Sequence, residues 1–252
     1  MQTARRIHFP TLINQASPAG NAGNRFLAAL PKATYNRLAA YLEPVILPPG
    51  QLLQQPDETS PFVYFPDRGI VSCVLTGKDG AKLEVDIVGR EGMVGHVTTL
   101  HDRPTPSRAV VQIAGSGWRI PAAAVREEFR QGNVLQSLLL RYTQALLVQA
   151  SQITYCNRCH TLEERLSRWL LTITERAESD RLPLTQEAMA EMLGLRRVSV
   201  TVAAGVLREA GLIRYSRGDL TVINRARLEA CACDCYAVIH DQFKSLYQSP
   251  IL

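Results

Sequence analysis

Residues 183–215, PLTQEAMAEMLGLRRVSVTVAAGVLREAGLIRY, constrain the fold more than any other stretch of this chain. At its centre, RRVSVTVAAGVL alternates valine with small residues, the period of a half-buried strand, yet both flanks carry helix signals. Thr185 suits an N-cap, and Met189, Met192 and Leu193 share one face of the helix that would follow. Gly194 ends that helix, LGLRR makes a tight turn, and a second helix can run from Arg197 to Glu209 before Ala210 and Gly211 stop it. On this second helix Val200, Ala203, Ala204 and Leu207 form one stripe, while Arg197, Val198, Thr201 and Val202 fall on the opposite side. The strand-like alternation therefore hides two helical faces. LIRYSRGDLTVI then reads as strand, turn and strand, a hairpin wing.

Helix, turn, helix and hairpin in this order predict a winged helix. Its positive charges, Arg196, Arg197, Arg214 and Arg217, come from the turn, the outer face and the wing, where phosphate contacts are expected. The residues placed to meet double-stranded DNA are Thr185, Gln186, Arg196, Arg197, Val198, Ser199, Thr201, Val202 and Arg217. A net charge of +5 agrees with a polyanionic partner without requiring one. The competing reading is an effector-binding or redox- or metal-sensing module whose winged helix contacts protein.

Upstream the pattern differs. Residues 1–24 lack periodicity and read as a flexible tail, and residues 25–132 as a β-roll sensor domain. NRFLAALPKATYNRLAAYL suggests two short helices around Pro31. Between Glu43 and Pro121, eight short apolar runs alternate with turn residues such as Pro66-Asp67 and Gly115-Ser116-Gly117. Strands so spaced imply an antiparallel jelly roll of eight strands, and the fold class is α+β. A long helix over 133–158 carries Leu135, Leu139, Tyr142, Leu146, Gln149, Ile153 and Cys156 at steps of four and three, a heptad seam that invites a second copy of the chain. The alternative is a helix buried within one chain, as Leu138, Leu140 and Leu147 outside the seam would suit. Residues 159–240 make the winged-helix domain, opened by a capping box at Thr161 and Glu164, and 241–252 read as a C-terminal tail.

Six cysteines in a chain without a secretion signal predict reduced thiols. Cys156-Asn-Arg-Cys159-His160 matches a haem-attachment string, and CACDC offers three close thiols. Cys231, Cys233 and Cys235 alternate by two, however, so they do not share a helical face, and zinc would need a loop there. The expectation is structural thiols, no metal and no certain cofactor. No catalytic motif is found, so an enzyme is not expected, and no run is long enough to span a membrane. A cytoplasmic location follows as an expectation.

The order of β-roll, long helix and winged helix resembles the Crp/Fnr family of bacterial transcription regulators. The resemblance covers most of 26–240 and is carried by FVYFPDRGIVSCVL, VGREGMVG, LEERLSRWLL and LTQEAMAEMLGLRRVSVTVAAGVLREAGLI. It implies a sensor of the cyclic-nucleotide-binding fold, a homodimer on a near-palindromic DNA site, RNA polymerase as a protein partner and an unidentified small-molecule effector. Where the family's recognition helix carries serine, arginine, glutamate and a second arginine, this chain has Arg196, Arg197, Val198 and Val202. Only Arg197 matches. Members that bind cyclic AMP use Gly-Glu and Arg-Ser pairs, and the corresponding places here hold Gly95-His96 and Ser107-Arg108. The glutamate is absent, and strand alternation would send Arg108 to the wrong face. These four residues mark the candidate effector pocket, without tight cyclic AMP binding.

Overall fold

Two long strands, each bent at glycine, organise the first half of the chain. The computed structural model describes residues 23–101, 103–216 and 218–248. Helices α1 (Arg25–Ala28) and α2 (Lys32–Ala39) flank Pro31, followed by β1 (Glu43–Leu47), β2 (Leu52–Gln54), β3 (Phe62–Thr76), β4 (Lys82–Val88), α3 (His96–Leu100) and β5 (Arg108–Pro121). They form one antiparallel sheet in the order β1-β5-β3-β4, with β2 also paired to β5.

The eight runs expected from the sequence are thus five strands. FVYF and GIVSCVL are halves of β3, RAVVQIA and GWRI are halves of β5, and GMVGHV supplies only a bridge from Val94 to Tyr64 before α3. Between Pro66 and Val71 the register against β5 slips repeatedly. Gly69, at φ 87°, lies there against Gly115, and a Cβ on Gly69 would come within 2.6 Å of the Ile113 carbonyl oxygen. The presumed turns at Pro66 and Gly115 are therefore bulges, which bend continuous strands and curl the sheet into a roll around Leu47, Leu53, Val71, Val88, Val94, Ala109 and Val111.

After α4 (Ala122–Arg130) come α5 (Val134–Cys159), capped by the Asn133 side chain, and α6 (Leu162–Ala177), opened by the expected capping box of Thr161 and Glu164. Next are β6 (Arg181–Leu182), α7 (Gln186–Leu193), α8 (Arg197–Glu209), β7 (Ile213–Ser216) and β8 (Asp219–Val222), the three strands making a small sheet in the order β6-β8-β7. Helices α9 (Arg225–Cys231) and α10 (Cys235–Leu246) close the described chain. No described helix is long and apolar enough to cross a membrane.

Two expectations need correction. The seam on α5 faces its own chain: Leu135, Leu139, Tyr142, Gln149 and Cys156 are buried, and Leu146 and Ile153 are half-buried. Its first turns pack with Phe26 and Phe65 of the sensor domain and with Ile239, Phe243 and Leu246 of α10. Residues 241–246 consequently belong to a packed helix and not to a tail. An apolar stripe on one helix cannot say whether its partner lies in the same chain, and α10 supplies that partner. At the other end, Asn24 is fully buried; its side-chain oxygen caps α1, and its amide donates to the carbonyls of Pro66 and Gly92. Residues 1–22 of the expected tail lie outside the described residues.

Candidate nucleic-acid interface

Helix α7 begins where Thr185 Oγ1 accepts from the Ala188 amide, and it ends at Gly194, which takes a left-handed conformation (φ 64°) at the position that caps a helix C-terminus. Its apolar face, Met189, Met192 and Leu193, is buried. Helix α8 then starts at Arg197 and ends at Glu209, the bounds read from the sequence, with Val200, Ala203, Ala204 and Leu207 buried against α6 and α7. The opposite face is open: Val198 is 74% and Val202 61% exposed, with Arg197 and Thr201 beside them. Alternation in the sequence thus resolves into a buried aliphatic stripe and an exposed mixed one.

Local contacts orient the exposed face. Thr201 Oγ1 lies 2.8 Å from Gln186 Oε1 and 2.9 Å from the Arg197 carbonyl, fixing the outer sides of α7 and α8 to each other. Tyr215 of the wing accepts the Gln186 amide through its hydroxyl at 3.1 Å. Arg197 Nε stands 3.8 Å from Glu187 Oε2 with both groups solvent-exposed, a weak pairing that leaves the guanidinium available. Arg196 is exposed, and Ser199 is half-buried in the first turn of α8. Arg217 lies outside the described residues. Among the predicted contact residues, Gln186 meets Thr201, and Arg197, Val198, Thr201 and Val202 are exposed on α8.

This domain does not hang free of the roll. Leu83 of β4 packs where a Cβ on Gly194 would meet it at 2.9 Å, and Lys82 Nζ reaches Glu191 Oε1 of α7 at 2.7 Å. Ile70, Val74 and Ile87 of the roll join the core built by α6, α7 and α8. On β4 Leu83 lies toward the end of α7, whereas Glu84 is buried. The Trp169 indole donates to Glu84 Oε1 at 2.7 Å, and burial raises the Glu84 pKa to about 7.

A second polar contact sits beside it. Arg176 of α6 is 6% exposed; it donates to the Ile87 carbonyl and to Gln149 Oε1 (2.5 Å), and its Nε lies 3.2 Å from Glu91 Oε1. Gln149 donates in turn to Asp86 Oδ1 at 2.6 Å. Burial raises the Asp86 pKa to about 6, and the nearby Arg176 charge opposes the shift. Roll, α5 and α6 therefore meet through one connected set of polar side chains. Sequence reasoning missed Glu84, Trp169, Arg176 and Glu191; the available signal was the pair of acids in KLEVDIV, a strand otherwise fit for burial.

The candidate effector residues make separate contacts. His96, at the start of α3, is half-buried with its ring edge-on to Tyr142 of α5 at 5.6 Å, and desolvation lowers its pKa to about 4, so it is neutral there. Gly95 (φ 89°) precedes it and backs onto the Phe62 carbonyl. Ser107 holds Thr105 through a 3.0 Å hydroxyl pair, and its carbonyl accepts from Gln54. Arg108 points away from the roll interior, where Ala109 is fully buried, and its guanidinium lies 3.3 Å from Glu191 of α7. His96 thus sits at the junction with α5 and Arg108 at the contact with α7.

The comparisons with known proteins fit this arrangement. Residues 44–131 match the family model of the cyclic nucleotide-binding domain, and residues 164–231 match that of the Crp-like helix-turn-helix domain. The chain belongs to the Crp/Fnr-type transcription regulators. It pairs an effector-binding domain with a DNA-binding one, and regulators of this family bind DNA and function as dimers. Among solved structures, FixK2 from Bradyrhizobium japonicum is 19% identical with a TM-score of 0.63, the match covering 76% of this chain and 98% of that one. The c-di-GMP responsive regulator CLP of Xanthomonas campestris is 14% identical with a TM-score of 0.61, covering 77% and 100%. A CRP-family regulator from Thermus thermophilus is 18% identical with a TM-score of 0.59, covering 75% and 96%. These likenesses support the fold. A search of curated proteins by sequence returned no match.

Proposed function

We propose that this regulator reads DNA with the outer face of α8, Arg197 bonding a guanine edge while Val198 and Val202 meet thymine methyl groups, and that Thr185, Gln186, Arg196, Ser199 and Thr201 hold the backbone. The observation that carries the reading is the pairing of Arg197 with two valines that are 74% and 61% exposed on a helix whose other face is buried. Valine has no donor or acceptor for a base edge, but it can pack on the C5-methyl of thymine in the major groove. In a homodimer two such helices must sit about 34–36 Å apart on a near-palindromic site. RNA polymerase as the protein partner belongs to this reading as the family's contribution.

A second reading has its own support: Val206, 47% exposed, extends Val198 and Val202 into an apolar stripe that could meet a protein. Salt separates the two. In gel shifts on a selected site, DNA binding should weaken steeply between low and high salt, as phosphate contacts demand, whereas apolar docking should not. Selection from random DNA should return half-sites enriched in thymine at two steps, and Arg197→Ala should lose about 1 to 3 kcal/mol of discrimination at one base pair. Unchanged specificity in that variant would overturn the assignment.

The effector is proposed to be something other than cyclic AMP. Neutral His96 against Tyr142 and Arg108 turned toward Glu191 leave neither a ribose acceptor nor a phosphate cation at the places the family uses. Calorimetry with cyclic AMP is expected to detect no micromolar binding, and a micromolar isotherm would refute this.

A further inference from the structure

Sequence spacing left the cysteines scattered; the fold gathers three of them. Cys156 lies on the last turns of α5 and His160 is that helix's C-cap, so a spacing of four puts both on one side of the helix end. Cys233 and Cys235 flank the break between α9 and α10, with Asp234 between them as the α10 N-cap. That break is the loop a zinc site would need, because the alternation by two no longer has to follow a single helix.

The four ligand atoms all lie within 4.8 Å of one another. Cys156 Sγ is 3.5 Å from Cys233 Sγ, and Cys235 Sγ is 3.6 Å from His160 Nδ1. For zinc at about 2.3 Å from sulfur and about 2.0–2.1 Å from nitrogen, the edges of a tetrahedron are about 3.8 Å between sulfurs and about 3.5 Å between sulfur and nitrogen. The Cys156–Cys233 and Cys235–His160 edges are close to these, and the remaining ones are within 4.8 Å. They are far from the S–S bond of about 2.05 Å in a disulfide. Cys156, Cys233 and Cys235 are buried, and His160 is half-buried with its ring edge on Tyr155.

A neighbouring cation supports the same assignment. Arg168, only 4% exposed, donates from Nε to Cys156 Sγ at 3.3 Å. Three thiolates, a neutral imidazole and a divalent ion carry a net single negative charge, which a buried guanidinium at hydrogen-bond distance offsets. Cys159 and Cys231, next to the cluster in sequence, are not part of it.

We propose that Cys156, His160, Cys233 and Cys235 form a tetrahedral site for a thiophilic divalent metal ion of the zinc class, which ties the end of α5 to the α9–α10 break. Soft thiolates with one imidazole and no fourth position left for water suit a closed structural site and not a catalytic one. Metal binding displaces the thiol protons to solvent and involves no change of oxidation state.

Cobalt(II) titration of the reduced full-length protein tests the assignment. One equivalent per chain should produce the intense visible bands of tetrahedral thiolate cobalt, and zinc should displace them. Cys159→Ser and Cys231→Ser should leave the bands unchanged, Cys233→Ser and His160→Ala should abolish or strongly weaken them, and Arg168→Gln should lower affinity about 10- to 100-fold. Should the ligand variants fail to fold, alkylation of the natural chain gives an independent reading: zinc should slow modification of Cys156, Cys233 and Cys235 but not of Cys159 and Cys231. Absence of a tetrahedral spectrum, equal protection of all five thiols, or a Cys156–Cys233 disulfide whose reduced form takes up no metal would overturn the proposal.

Discussion

Replacing Arg176 with alanine is expected to destabilise the protein by about 3 to 5 kcal/mol, the range for breaking a buried charge pair by removing one partner. The guanidinium bridges the Ile87 carbonyl, Gln149 Oε1 and Glu91 Oε1, and lies 4.5 Å from the centre of the Phe243 ring. Its removal leaves the buried Glu91 carboxylate and the nearby Asp86 facing each other without a cation. Arg176→Lys should recover little, because a single ammonium cannot serve three acceptors set in a fork. The loss should also depend on pH. Asp86 titrates near 6 in the folded chain, raised by burial and held down by Arg176, so without Arg176 its folded pKa rises further.

A carboxyl whose folded pKa lies above its unfolded value binds more protons folded than unfolded, and its contribution to stability falls as pH rises through that window. Urea unfolding should therefore show a larger deficit for Arg176→Ala at pH 8 than at pH 5. A deficit under about 1 kcal/mol at both values would mean that the network contributes no more than an exposed pair.

How the sequence maps onto these parts follows from physics. The winged helix was legible almost to the residue, because caps at Thr185 and Gly194 and a stripe at Val200, Ala203, Ala204 and Leu207 are local signals. The roll was legible as a class and not in its strand count: bulges at Gly69 and Gly115 look like turns in one dimension, since both need glycine. The coupling residues were not legible. Glu84 meets Trp169 at a separation of 85 residues, Arg176 meets Ile87 at 89 and Glu191 meets Arg108 at 83, so none of these contacts is visible locally. The thiol cluster failed to register for the same reason, its halves being 77 residues apart between Cys156 and Cys233.

Moving the dimer interface to the other side of α5 has the largest consequence for DNA binding. With Leu135, Leu139 and Tyr142 committed within the chain, the outward side of the helix carries Leu140 (52% exposed) and Leu147 (65% exposed), one heptad apart, with Gln144, Ser151 and Thr154 continuing the steps of four and three. We propose this stripe as the place where two copies of α5 pair, because it sets two exposed leucines one heptad apart on a helical face that its own chain does not cover. Glutamate at both Leu140 and Leu147 would set like charges against each other across such a pair and is expected to yield a monomer by sedimentation velocity.

Each chain would then hold one half-site, and affinity for a palindromic site should fall by about 10² to 10⁴-fold as the gain from linking two modules is lost. Because both leucines are exposed in the single chain, its thermal unfolding should shift little, which separates loss of pairing from loss of fold. A double variant that still sediments as a dimer would exclude this face and direct attention to another surface of the chain.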